Sequence, residues 1–65
     1  MNLIEGIQEE IRRAEALRKV YDDIPAGNFG VMLIDDVVHR ARQSLATRDH
    51  TEMLEAYAEL KELGG

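Results

Sequence analysis

The sequence contains no cysteine and no tryptophan, a single proline, and only three aromatic residues, one phenylalanine and two tyrosines. Without cysteine, disulfides and Cys-based zinc sites are excluded. No apolar run approaches the ~20 residues that a membrane span needs. No basic, apolar N-terminal stretch with a cleavage site reads as a signal peptide. Cations are scarce too: eight Lys and Arg face 13 Asp and Glu, for a formal charge of −5. Binding to nucleic-acid duplexes requires cations that neutralise phosphates, so this balance argues against it. The expectation is a soluble protein of the cytoplasm that makes no membrane contact.

What is present is enough for one domain, residues 1–65, in which 45% of side chains are hydrophobic. A domain of ~60 residues buries only ~60% of the surface its unfolded chain exposes and is marginal alone. With no disulfide and few metal ligands, self-association or docking on a partner is the remaining remedy. A homo-oligomer is therefore expected. The acidic balance suits a basic surface on another protein, although it also simply keeps a small domain soluble.

Break signals occur at Pro25, at Gly27 to Gly30, around Asp49 and at Gly64-Gly65. They separate three helical segments, and the fold class read from them is all-α: a helical hairpin plus a third helix in one compact unit. In the first segment, Leu3 to Asp23, Ile4, Ile7, Ile11, Ala14, Leu17 and Tyr21 recur every three or four residues, as one helical face requires. Asn2 and Glu5 have capping-box spacing. Glu9 with Arg13 and Glu15 with Lys19 are favourably oriented i,i+4 pairs. Gly6 is the weak position, since glycine inside a helix costs ~1 kcal/mol relative to alanine.

The second segment runs from Asn28, a suitable N-cap, to Thr47. Its inner stripe is Ile34, Val37, Val38, Ala41 and Leu45, with Asp36 and Arg40 paired outside. Phe29 and Met32 fall off this stripe, as Val20 and Ala16 do in the first segment. They suggest either a second apolar surface, of the kind that marks interfaces, or a helix sandwiched between two neighbours. The third segment opens on a second capping box, Asp49 to Glu52, presents Met53, Ala56, Tyr57 and Leu60 inward, and stops at Gly64. Short linkers make consecutive helices antiparallel neighbours.

Residues 1–23 sum to −2, residues 24–48 to +1 and residues 49–65 to −4. In the third segment Glu52, Glu55, Glu59 and Glu62 recur at helical spacing and form an acidic ridge. The ridge is either a solvated helix face or a docking face for a basic partner.

Chemistry-bearing arrangements are few. His39 and His50 are the only histidines, and the hydroxyls Ser44, Thr47 and Thr51 show no nucleophile–base spacing. No enzyme activity and no cofactor are assigned. Asp35, Asp36 and His39 share a helix face, but two kinds of ligand on one helix are too few for an ion unless Asp22 and Asp23 return to them, so no metal site is assigned.

The most distinctive stretch is Ile24-Pro25-Ala26-Gly27-Asn28-Phe29-Gly30. It opens a helix, where free backbone N–H groups favour an anion, and Phe29 is available to stack on a base. It lacks the Lys and Ser/Thr of a Walker loop and is not the dinucleotide-binding G-x-G-x-x-G. On this reading Pro25, Gly27, Asn28, Phe29 and Gly30 hold phosphate, while Arg18, Lys19, Arg40 or Arg42 neutralise it. The plainer account is a tight turn in which the two glycines let the backbones approach and Phe29 plugs the end of the core.

That stretch, followed by Met32 and Ile34 and then by Asp49 before Met53-Leu54-Glu55-Ala56-Tyr57, resembles a group of small uncharacterised helical proteins from phages and prophages with an Ile-Pro-(Ala/Thr)-Gly-x-Phe-Gly turn. The resemblance covers nearly the whole chain, including the initial amphipathic helix. It implies a phage accessory protein acting in the host cell cytoplasm. Small acidic phage proteins often counter host defences, as anti-CRISPR proteins or as sponges for cyclic nucleotide signals.

Three functions are therefore carried forward. The first is a non-enzymatic anti-defence protein that inhibits a host immune system by binding a host protein through Phe29, Met32, Glu52, Glu55, Glu59 and Glu62. The second is an oligomeric sponge that holds a nucleotide immune signal at the Pro25–Gly30 turn with Arg40 and Arg42. The third is a structural or regulatory module of a phage assembly.

Overall fold

The first helix begins where Asn2 accepts a hydrogen bond from the Glu5 backbone N–H at 2.9 Å, satisfying one of the donors that a helix start leaves unpaired. In this computed structural model, which describes residues 2–63, α1 spans Leu3–Asp22, α2 Asn28–Thr47 and α3 His50–Glu62. The fold is all-helical, and each helix packs against the other two. None of these helices is long and apolar enough to cross a membrane.

The core follows the expected periodicity. Ile7, Ile11 and Ala14 of α1 meet Ile34, Val37, Val38 and Ala41 of α2, and Met53, Ala56 and Leu60 of α3, with Leu63 closing the end. Ile4, Leu17, Leu45 and Tyr57 lie half-buried at its edge. Ser44 is also buried, because its hydroxyl donates to the Ala41 carbonyl at 2.7 Å and so carries no unmet hydrogen bond into the interior.

Several local expectations are corrected. Helix α2 is capped by Gly27 and not by Asn28, and Gly27 makes no side-chain cap bond. α1 ends one residue early, with Asp23 as its C-cap. The Glu9–Arg13 and Glu15–Lys19 pairs are replaced by others: Arg13 turns to Glu10, three residues back on α1, and to α3, and Glu15 accepts from Arg42 of α2 at 2.7 Å. A side chain between two helices meets partners that spacing along one helix does not reveal. Asp36 and Arg40 do pair, at 3.1 Å. Asp49 caps α3 by accepting from the Glu52 N–H at 3.0 Å, while Thr47 links the Asp49 N–H to the Glu52 carboxylate. The stop expected at Gly64 lies outside the described residues.

The two turns differ in kind. Between α1 and α2 the chain reverses on the bonds Ile24 N–H to Tyr21 carbonyl and Gly27 N–H to Ile24 carbonyl. Between α2 and α3 it reverses at Arg48, which takes the left-handed conformation at φ 59° while its N–H caps α2 on the Ser44 carbonyl. Glycine usually occupies such a position.

Candidate functional site

Helix register decides what surface the molecule offers. α3 has 13 residues against 20 in each hairpin helix. It begins level with the end of α2, where Thr47 meets Glu52, and Glu59 pairs with Arg40 at 2.8 Å. It ends level with Arg13, whose guanidinium donates to the carbonyls of Leu60 and Leu63, each at 3.0 Å. One helical turn past Glu59 is the end of α3, so α2 from Asn28 to about Asp35 runs on without it for ~12 Å at 1.5 Å per residue.

That unaccompanied hairpin end is apolar. Seven large hydrophobic side chains are exposed among the described residues, and six of them lie there: Val20, Tyr21, Ile24, Phe29, Met32 and Leu33. Phe29 is 78% exposed and Met32 70%. The expected role of Phe29 as a plug in the end of the core is therefore corrected: its ring lies outside. Tyr21, expected on the inner face, is exposed as well, with its ring against Gly30. A Cβ added at Gly30 would lie 2.9 Å from the Tyr21 ring, and one at Gly27 would strike the Tyr21 backbone carbonyl. The two glycines thus let α1 and α2 approach at the turn, and Gly27 is buried by that approach.

The acidic ridge adjoins this end along α2 and α3. Glu52, Glu55 and Glu59 line a shallow groove of about 250 Å³ with Arg40, Gln43 and Ala56. Glu62 follows Glu59 by three residues and is exposed. Only one cation, Arg40, lines this groove, and it is shared by Asp36 and Glu59. The partner-binding residues expected from the sequence thus lie in sequence along the α2 and α3 side of the molecule, apolar at the hairpin end and acidic below it.

The residues expected to bind an anion are not brought together in the same way. Pro25 and Asn28 are exposed beside Phe29, but Gly27 is buried and its N–H is engaged by Ile24. Arg40 lies 12 residues into α2 from Asn28, ~18 Å along the axis, and is held by Asp36 and Glu59. Arg42 is held by Glu15. Arg18, Lys19 and Arg42 instead converge on a separate groove of about 400 Å³ between α1 and α2, floored by Ile34 and Val38 with His39 at its rim. Arg18 there donates to both carboxylate oxygens of Asp35, at 2.6 and 3.2 Å. That hydrogen bonding holds the Asp35 carboxyl below the usual carboxylate range and raises Arg18 above its own. Among the described residues no three His, Asp or Glu side chains gather where a metal ion would sit.

Sequence reasoning singled out Phe29, Met32 and Val20, but it missed Ile24 and Leu33. The signal for Leu33 was its i,i+4 spacing from Phe29, read together with a third helix too short to cover it. Arg13 as the cap of α3 left no signal in the sequence.

The chain matches no family model, no curated protein and no solved structure.

Proposed function

We propose that this protein is a non-enzymatic binding protein that inhibits a host defence component, as the resemblance to small phage proteins implies. The observation that carries the reading is the exposure of Phe29 and Met32 beside a run of carboxylates. Exposed apolar patches rimmed by polar groups are a common mark of protein interaction sites, and burying such a patch on a partner removes it from water. The carboxylates steer a basic partner and fix its orientation more than they add affinity.

The test is expression in cells that carry a defence system and are challenged with a phage sensitive to it. The wild-type chain restores plaquing and co-purifies with a protein of that system. Glu55→Lys with Glu59→Lys loses both effects while its helical circular dichroism is unchanged. Plaquing that stays restored with this variant contradicts the acidic-face contact.

The nucleotide-sponge reading keeps one supporting observation, the convergence of Arg18, Lys19 and Arg42 on one groove. It is weaker because Arg18 and Arg42 are already paired with carboxylates, and because the expected turn lies elsewhere. A thermal-shift screen against nucleotides separates the two, since a binding inhibitor shows no shift. Self-association remains part of the proposal, with light scattering as its measure.

A further inference from the structure

The hairpin end has a more definite shape than an exposed patch. α3 lies in the furrow between α1 and α2 and stops at Leu63, where Arg13 receives its last carbonyls. Above that point no described residue of α3 lies in the furrow. Helical phase tells which side chains line it. On α2, Leu33 precedes Val37 by four residues and Phe29 precedes Leu33 by four, so both continue the side that faces α3 lower down. On α1, Leu17 and Val20 follow Arg13 by four and seven and continue the side that caps α3. Leu33 is 47% exposed and Val20 58%, whereas Val37, one turn lower and beside α3, is buried.

The margins of the furrow are acidic. Asp23 stands at the C-terminal end of α1, where the helix dipole is negative and acids are disfavoured. Asp36 flanks the furrow on α2, and Glu62 stands in the last turn of α3. Among the described residues Asp23 and Glu62 have no ion-pair partner, and Asp36 shares Arg40 with Glu59.

We propose that this furrow is a docking site for a cationic amphipathic helix of the partner protein, lying along the line of α3. Its apolar face covers Val20, Phe29 and Leu33, and its Lys or Arg side chains meet Asp23, Asp36 and Glu62. The furrow takes about two turns of such a helix, ~12 Å, in the helix-in-groove mode of recognition. A second copy of this chain fits less well, because each copy has a charge of −5 and the same acidic margins. The inference rests on the protein-binding reading above and adds the partner's chemistry to it.

Selection of a displayed 12-residue peptide library on the whole chain tests it, with the double variant Phe29→Asp, Leu33→Asp as counter-target. Both positions are exposed, so the variant keeps its helical circular dichroism. Enriched peptides are expected to be net positive with apolar residues at i, i+3 or i+4 and i+7. They shift the NMR methyl signals of Val20 and Leu33 and bind the double variant about tenfold or more weakly. Acidic or neutral winners, no enrichment over the double variant, or shifts confined to Glu52–Glu59 overturn the proposal. In the last case the protein-binding reading stands and only this site fails. A dimer by light scattering that Phe29→Asp, Leu33→Asp dissolves overturns it in favour of a second copy. A chain that enriches no peptide and is stabilised by nucleotides overturns both readings.

Discussion

Arg13 of α1 donates a guanidinium hydrogen bond to the backbone carbonyl of Leu63, 50 residues further along the chain, at 3.0 Å. Its second nitrogen reaches the Leu60 carbonyl at the same distance. The last carbonyls of a helix have no partner within it, so one forked side chain both ends α3 and ties it to α1. The contact holds the end of α3 beside Arg13, below the exposed hairpin end. Arg13→Ala is expected to cost about 1.5–3 kcal/mol, the usual worth of hydrogen bonds to a charged group. Denaturant midpoints measure the loss, with amide exchange showing it concentrated at the end of α3. Arg13→Lys recovers less than half, because an ammonium does not present the planar fork.

Core and hairpin end should respond in opposite ways. Leu60 is fully buried, and Leu60→Ala is expected to cost about 2–5 kcal/mol through lost burial and the cavity left behind. Phe29→Asp, at an exposed ring, is expected to change stability by no more than about 0.5 kcal/mol. Paired urea titrations compare the two. A large loss in Phe29→Asp places the ring in the core.

Much of this was legible from the residues. The stripe Ile34, Val37, Val38, Ala41 locates the core of α2 because helical period and burial coincide there. Asn2 and Asp49 mark two helix starts because a capping side chain acts within three residues of itself. What was hidden depends on register between helices. Whether Phe29 is a plug or a surface ring turns on how far α3 extends, and that is fixed by Arg13, Arg40 and Thr47 contacts distant in sequence. Glu15 likewise pairs with Arg42 because packing brings α2 beside it. Of the candidate site, Phe29, Met32 and the glutamate ridge could be named from spacing, while their placement along one side could not.

The α1–α2 turn makes a prediction about glycine. A Cβ on Gly27 meets the Tyr21 backbone, which does not yield as a side-chain end does. Gly27→Ala is expected to cost about 3 kcal/mol, at the upper end of overpacking effects. At Gly30 the obstacle is the Tyr21 ring, which can rotate outward, and Gly30→Ala is expected to cost about 1 kcal/mol. Thermal unfolding of the two variants checks the order.

Arg48 points the other way. Its φ of 59° is a conformation that side chains with a Cβ adopt at a cost. Arg48→Gly removes that cost and is expected to stabilise the fold by up to about 1 kcal/mol, less the greater freedom that glycine gives the unfolded chain. A fall in the urea midpoint contradicts the left-handed cap.

Acid should reveal the Arg18–Asp35 pair. A carboxyl whose pKa is lowered in the folded state adds stability that is present above its unfolded pKa and lost as pH falls through the folded one. In a carbon NMR titration Asp35 is expected to protonate below the usual carboxylate range. In Arg18→Gln its midpoint moves up toward that range. A midpoint unmoved by Arg18→Gln contradicts the pair.

The central claim, the proposal that the uncovered hairpin end is where this protein meets its partner, is tested most directly by site-specific photocrosslinking in cells that carry a defence system. A benzophenone side chain replaces Phe29 in one chain and the exposed Arg12, on α1 away from the hairpin end, in another. The account predicts a single covalent adduct with a defence protein from position 29 and none from position 12. Adducts of equal yield from both positions, or from position 12 alone, contradict it.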